Sequence, residues 1–219
     1  MRRLLGITHL WRVFLACLLC VATPVLAQKE EGQRFEVLGD RLIFDSTVPV
    51  DGRELDIRYS DVEDMRDVLR RHPQITTLEI NSTGGGHYPS VDLASLVIDF
   101  GLNTHVEDTC ESSCVTVFLG GEKRTMARGG RLGFHQLSWT ARAVEDYYNK
   151  NRDRRDWETP FEFAEWMYQD TQTETYTRIN YMIARGVDPM FAVQTMRKPD
   201  VSMWFPYRSV LIAAGVLTE

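Results

Sequence analysis

The sequence predicts an α/β domain with mostly parallel strands, preceded by a short export leader. Three observations carry this reading. Two strand-turn-helix units succeed one another between Thr77 and Gly121, and a strand that leaves through a helix and returns beside itself makes a parallel pair. Arg2, Arg3 and Arg12 precede or open an uncharged run from Val13 to Leu26, which is the profile of a signal peptide. Beyond that leader, a chain of roughly 190 residues suits a single domain with its own hydrophobic core.

Val25-Leu26-Ala27 offers small side chains where a signal peptidase accepts them, so cleavage is expected after Ala27, with residues 1–27 removed and a mature start at Gln28. The apolar run falls short of the roughly 20 residues that span a bilayer. Cleavage is therefore preferred to a retained anchor, and too little apolar sequence precedes Cys17 for a lipoprotein site. The expected location is the periplasm or the exterior. The leader carries three of the 25 basic residues and none of the 31 acidic ones, so the mature domain is more acidic than the −6 of the whole chain. Nucleic acid is excluded as a partner on that ground. Cys17 and Cys20 leave with the leader, and the remaining Cys110 and Cys114 are expected to pair in an oxidising compartment.

Along the mature chain, Phe35 to Leu38 and Arg41 to Phe44 flank a Gly39-Asp40 turn and read as a strand pair. Ser60-Asp61-Val62-Glu63 has capping-box spacing, and Val62, Met65, Val68 and Leu69 share one helical face until His72-Pro73. Thr77 to Asn81 alternates as a strand, Ser82 to Gly86 is a glycine-rich turn, and Val91 to Phe100 is a helix closed by Gly101. The order repeats with a strand at Asn103 to Glu107, a turn at Cys110 to Cys114 and a helix at Val115 to Leu119, closed by Gly120-Gly121. Arg124 to Met126 and Arg131 to Phe134 are strands on either side of Gly129-Gly130, and they lead into His135-Gln136. The charged stretch Thr140 to Arg155 (residues 140–155) is expected as a solvated helical insertion. Phe161 to Arg185 and Asp188 to Met196 are helical by periodicity, Met203 to Pro206 is a short strand, and Ser209 to Val216 is a closing helix near Gly215.

A serine hydroxyl is a weak nucleophile that needs exposure on a sharp turn, a base for its proton, and N–H donors for the oxyanion. Ser112 or Ser113 stands at a strand-to-helix junction, where the helix start adds free N–H groups. His135 ends one strand, and Gly84-Gly85-Gly86 ends another, where missing side chains let a carbonyl approach the main chain. Other chemistries fit less well. Ser82 to Ser90 lacks the Gly-Lys-Ser/Thr ending of a phosphate loop. Cys110 and Cys114 have neither zinc spacing nor companion ligands, so no metal and no cofactor is expected. His105 reads as structural; His72 and His87 have no evident partner, although His87 comes after the glycine turn toward the cleft.

Taken together, these segments resemble the Clp protease proteolytic subunit of the ClpP/crotonase fold. Ile80-Asn81-Ser82-Thr83-Gly84-Gly85 is similar to that family's Ile-Asn-Ser-Pro-Gly-Gly turn. Cys110-Glu111-Ser112-Ser113-Cys114 with Phe118-Leu119-Gly120-Gly121 resembles its nucleophile turn and helix. Leu132-Gly133-Phe134-His135-Gln136 is similar to its Met-Ile-His-Gln segment, and Ser209 to Val216 falls where the family has its closing helix. The set also resembles exported ClpP-like proteins with a Cys-x-Ser-x-Cys turn. The resemblance spans Phe35 to Thr218 and is most specific from Thr77 to Gln136.

The resemblance implies a spiral of repeated β-β-α units with mostly parallel strands. Ser112 takes the nucleophile position, nine residues before Gly121. Ser113, Gly84 and Gly85 take the oxyanion hole, His135 the base, and Asp200, reached by counting back from Gly215, the group that orients it. A serine-lysine variant would need Lys123 or Lys198, the mature lysines near matching segments, and neither sits where reach to Ser112 can be argued, so the variant ranks below Ser112 with His135. Thr83 replaces the family proline, and the 140–155 insertion lies where Clp subunits build their rings. Ring assembly is therefore not carried over, while a homo-oligomer stays open. No ATP is supplied outside the cytoplasm, so no ATPase partner is expected. The leading reading is a secreted or periplasmic ATP-independent serine hydrolase, a peptidase acting on peptides or unfolded proteins. The alternative is a non-catalytic ClpP-fold binding or assembly protein that has lost turnover, favoured by a Ser112 hydroxyl beyond about 5 Å from the His135 ring. Acyl-CoA chemistry ranks lower, because the chain shows no nucleotide-binding feature.

Overall fold

A computed structural model of the chain describes residues 34–49, 56–199 and 201–219. β1 (Phe35–Leu38) turns at Gly39-Asp40 into β2 (Arg41–Asp45), and the two pair antiparallel with Phe35 opposite Phe44. Their rings stack at 4.7 Å between centroids. Every other strand pair is parallel. β2 pairs with β3 (Thr77–Ser82), β3 with β4 (Asn103–Glu111), and β4 with both β5 (Arg124–Met126) and β6 (Arg131–Gly133). The crossovers are α1 (Tyr59–Arg71), α2 (His87–Asp99) and α3 (Cys114–Leu119). The mostly parallel α/β architecture expected from the repeated units is present.

The period-two pattern of the strands decides which face is covered. Leu42 and Phe44, Leu78 and Ile80, and Val106 are buried and meet Met65 and Leu69 of α1, Leu93 and Val97 of α2 and Phe118 of α3 in one core. Burying each such side chain stabilises the fold by roughly 1.5–3 kcal/mol. The opposite face carries polar cross-strand pairs instead: Arg41 with Glu79 at 2.6 Å, and His105 Nδ1 with Thr125 Oγ1 at 2.7 Å. His105 is thus part of the surface ladder, as its expected structural role requires.

Several boundaries differ from the sequence expectation, and each has a local cause. β4 runs on to Glu111 rather than stopping at Glu107, because β6 supplies a second partner, with Thr109, Cys110 and Glu111 opposite Arg131, Leu132 and Gly133. β5 and β6 therefore lie one after the other along the same side of β4. Between the Ile80–Val106 and Ser82–Cys110 pairs, three residues of β4 oppose one of β3. Such a bulge re-aims the end of a strand, here the end that leads into Ser112. α1 begins at Tyr59, and Asp61 rather than the Ser60/Glu63 pair closes its start by accepting the Arg58 N–H at 2.8 Å. α2 begins at His87, four residues early, since Ser90 bonds back to the Gly86 carbonyl and Pro89 needs no N–H partner in a first turn.

Downstream lie α4 (Ala141–Asn151), α5 (Pro160–Ala184), α6 (Pro189–Gln194) and α7 (Arg208–Ala213). The insertion is not simply solvated. Tyr147 of α4 packs against Trp139, Trp157, Phe163 and Trp166, so an aromatic cluster fastens α4 to the first turns of α5. α5 starts at a capping box formed by Thr159 and Glu162, with Pro160 in its first turn. At 25 residues it is roughly 37 Å long, and its last turns return to the domain. The short strand expected at Met203 to Pro206 is a single antiparallel bridge between Trp204 and Phe134. Among the described residues no helix is long and apolar enough to cross a membrane.

Candidate active site

Ser112 occupies the elbow between β4 and α3 in the left-handed region, with φ 55°. That conformation costs a non-glycine residue about 1–3 kcal/mol and persists only where the surroundings impose it. Three restraints do so here. The Ser112 N–H donates to the Gly133 carbonyl at 2.9 Å, the Val115 N–H donates to the Ser112 carbonyl at 3.2 Å, and a disulfide joins Cys110 to Cys114 with a Cα–Cα distance of 5.4 Å. Both cysteines are buried, while Ser112 is half-buried.

His135 lies just beyond β6, in a segment pinned on both sides. Phe134 and Trp204 exchange N–H···O bonds of 2.9 Å, the Gln136 N–H donates to the Lys198 carbonyl at 2.8 Å, and Arg178 Nη1 donates to the His135 carbonyl at 3.0 Å. The ring Nε2 lies 2.6 Å from Ser112 Oγ, and Nδ1 is turned into the protein. For Nε2 to take the serine proton, the neutral ring must carry its own proton on Nδ1. Asp200, expected as the orienting group, lies outside the described residues. In sequence it falls between Lys198 and Trp204, the two residues bonded to either side of His135.

The glycine turn meets the elbow from β3. Gly84 and Gly85 have φ 103° and 139°. A Cβ on Gly84 would stand 2.8 Å from both the Glu111 carbonyl and Ser112 Cβ, and one on Gly85 would overlap the Ile57 N. Both positions therefore need glycine. The N–H groups of this turn have distinct destinations. That of Gly84 donates to Ser82 Oγ at 3.1 Å and that of Gly86 to the Ile57 carbonyl at 3.0 Å. Gly84 is buried, whereas Gly85 is exposed, and its N–H donates to no described residue. The Ser113 N–H is likewise uncommitted among the described residues, and Ser113 Oγ ties the two segments together by donating to the Gly85 carbonyl at 3.1 Å. Two N–H groups without an acceptor among the described residues, those of Gly85 and Ser113, thus flank the Ser112 elbow. Gly84, expected to serve with Gly85, has its N–H already used.

Sequence reasoning missed the contribution of α5. Besides Arg178, Tyr181 Oη donates to the Thr116 carbonyl at 2.9 Å, and Arg185 donates to the carbonyls of Leu119, Gly120 and Gly121 at 2.9–3.2 Å, closing the C-terminal end of α3. Burial lowers the Arg178 pKa to about 10 and raises that of Tyr181 to about 12. No local signal marks these residues, since they act through main-chain groups distant in sequence. At the start of α2, Tyr88 Oη donates to Glu174 of α5 at 3.2 Å. Burial and the nearby carboxylates of Glu174 and Asp170 push the Tyr88 pKa up to about 12, and burial lowers that of His87. Glu111, next to the nucleophile, is occupied elsewhere: it accepts from Thr109 Oγ1 at 2.8 Å and pairs with Arg131 at 3.2 Å. Among the described residues no cluster of three or more His, Cys, Asp or Glu is placed to hold a metal ion.

No protein-family model and no characterised protein sequence matches the chain. Among solved structures, ClpP1 from Listeria monocytogenes is 15% identical, with a TM-score of 0.52 over 75% of this chain and 85% of that one. A point mutant of the same protein is 16% identical, with a TM-score of 0.50 over the same shares. The 1510-N membrane-bound stomatin-specific protease, in a mutant bound to a substrate peptide, is 12% identical, with a TM-score of 0.48 over 74% of this chain and 69% of that one. Strand order, crossovers and the likeness to ClpP1 agree: the chain has a ClpP-like fold.

Proposed function

We propose that this protein is an exported, ATP-independent serine peptidase acting on peptides or unfolded chains, with Ser112 as nucleophile and His135 as general base. The observation that carries the proposal is the 2.6 Å approach of His135 Nε2 to Ser112 Oγ on a left-handed elbow flanked by two N–H groups that are uncommitted among the described residues. Ser112 Oγ attacks the substrate carbonyl carbon while its proton passes to His135. The N–H groups of Gly85 and Ser113 receive the oxyanion. His135 then gives that proton to the leaving amine as the C–N bond breaks. Water, deprotonated by His135, cleaves the resulting ester and restores the serine. Asp200 is the proposed partner of Nδ1. The leader, Arg2 to Ala27, supports export, and the absence of ATP outside the cytoplasm supports action without an unfoldase.

A fluorophosphonate probe is expected to label the mature protein at Ser112, and Ser112→Ala to abolish labelling while leaving the circular dichroism spectrum and Tm unchanged. Labelling that survives in Ser112→Ala and vanishes in Ser113→Ala moves the nucleophile by one residue. A wild-type protein that neither takes up the probe nor hydrolyses unfolded casein sinks the proposal. The non-catalytic binding reading would then stand, although a separation of 2.6 Å does not meet the distance that favours it.

A further inference from the structure

We infer that Ser82, held by Ser46, is a positioning residue whose buried hydroxyl captures the Gly84 N–H, so that the Gly85 N–H alone on that side faces the reacting carbonyl. This inference rests on the peptidase reading above. Ser82 and Ser46 are both fully buried, and the Ser46 hydroxyl donates to Ser82 Oγ at 2.6 Å. Ser82 Oγ in turn accepts the Gly84 N–H at 3.1 Å.

The peptides on either side of Gly84, Thr83–Gly84 and Gly84–Gly85, carry the Gly84 and Gly85 N–H groups respectively, and glycine lets both rotate with little steric resistance. Something other than side-chain bulk must therefore choose which N–H points at substrate. The carbonyls of the turn are held, that of Gly84 by the Ile57 N–H at 2.9 Å and that of Gly85 by Ser113 Oγ at 3.1 Å. Of the N–H groups, that of Gly84 is held by Ser82. With these contacts in place, Ser82 holds the Thr83–Gly84 peptide with its N–H turned away from Ser112, and the next peptide, held through the Gly84 carbonyl, presents the Gly85 N–H.

The hydroxyl pair is itself anchored from outside the site. The Ser46 N–H donates to the Asn81 carbonyl at 3.0 Å, and the Ser46 carbonyl accepts from Arg34 Nη2 at 2.9 Å. Arg34 also bonds the Asp56 carbonyl at 2.8 Å and makes a two-pronged pair with Asp61, at 2.7 and 2.8 Å. A continuous buried polar chain thus runs from the start of α1 through Arg34, Ser46 and Ser82 to the glycine turn. Both Arg34 terminal nitrogens donate within this chain, and hydrogen-bonded networks of this kind stiffen the groups they join. Removing the Ser82 oxygen leaves the Gly84 N–H and the Ser46 hydroxyl seeking partners beside the oxyanion position.

The test compares fluorophosphonate labelling of the mature wild type, Ser82→Ala, Ser82→Thr and Ser46→Ala, separating the maximal inactivation rate from the probe concentration at half-maximum. A misaimed donor costs less than the 10²–10³-fold of a deleted one. Ser82→Ala is therefore expected to slow the maximal rate about 10- to 100-fold and to move the half-maximal concentration less than about threefold. Ser82→Thr, which restores an oxygen, is expected to recover most of the rate. Wild-type rates in Ser82→Ala overturn the inference. If Ser82→Ala does not fold, Ser46→Ala decides: a several-fold slower rate supports the pair, and an unchanged rate overturns it. If the wild type takes up no probe, the peptidase reading fails separately. The positioning claim is then read from amide hydrogen exchange of Gly84, which Ser82→Ala must accelerate; equal exchange overturns it.

Discussion

Ser112 and the two glycines opposite it show how few residues set the geometry of the candidate site. Ser112 tolerates φ 55° because its main chain is bonded on both sides and bracketed by a disulfide. The reward is a hydroxyl that reaches His135 without a side-chain rearrangement. At Gly85 the requirement is stricter, since the backbone sits at φ 139° and an added methyl would collide with the main chain at Ile57. Gly85→Ala is therefore expected to cost about 3 kcal/mol, combining strain with displacement of the Ile57 bridge. Urea denaturation monitored by tryptophan fluorescence measures this directly. A variant with an unchanged midpoint would show that the turn can open at no cost.

At the level of elements, the elbow depends on a strand that is longer than it first reads. β4 extends past Glu107 because β6 pairs with its second half, and the bulge opposite β3 turns that extension toward α3. The disulfide then ties Cys110, near the end of the strand, to Cys114, the first residue of the helix. Closing so short a loop stabilises by about 2 kcal/mol in the chain-entropy picture. Replacing both Cys110 and Cys114 with Ala is expected to lower stability by about that amount and to reduce fluorophosphonate labelling more than it reduces helix content. Because both sulfurs are buried, mild reductant added to the folded protein should release no titratable thiol. A thiol count that rises without unfolding would contradict this. α5 is the second element that matters, since it reaches from an aromatic cluster with α4 back to the carbonyls of His135 and of the α3 terminus.

For the whole molecule, the sheet is covered by helices on one face and left polar on the other, and the candidate site lies at the C-terminal ends of the parallel strands β3, β4 and β6. Ligands favour that end in open α/β sheets, where the chain turns from strand to helix and exposes N–H groups. Export by the proposed leader would leave a defined N-terminus. Expressed in a Gram-negative host and recovered from the periplasm, the protein is expected to start at Gln28 by N-terminal sequencing. An intact Met1 in a membrane fraction would instead mark a retained anchor.

Strand-turn-helix order and the parallel sheet were legible in one dimension, because they are written in hydrophobic periodicity and glycine position, whereas the choice of Ser112 over Ser113 and its pairing with His135 came from the resemblance to the Clp subunit's motifs. Ser60 and Glu63 show the limit of such reading. Their spacing fits a cap, yet Asp61 closes α1 because Arg34, distant along the chain, pairs with it. The 140–155 segment likewise reads as solvated by composition, and only contact with α5 turns Tyr147 inward. Local sequence carries information about periodicity and turns. It carries none about which distant oxygen receives a given N–H, and that assignment leaves Gly84 occupied and Gly85 open beside Ser112.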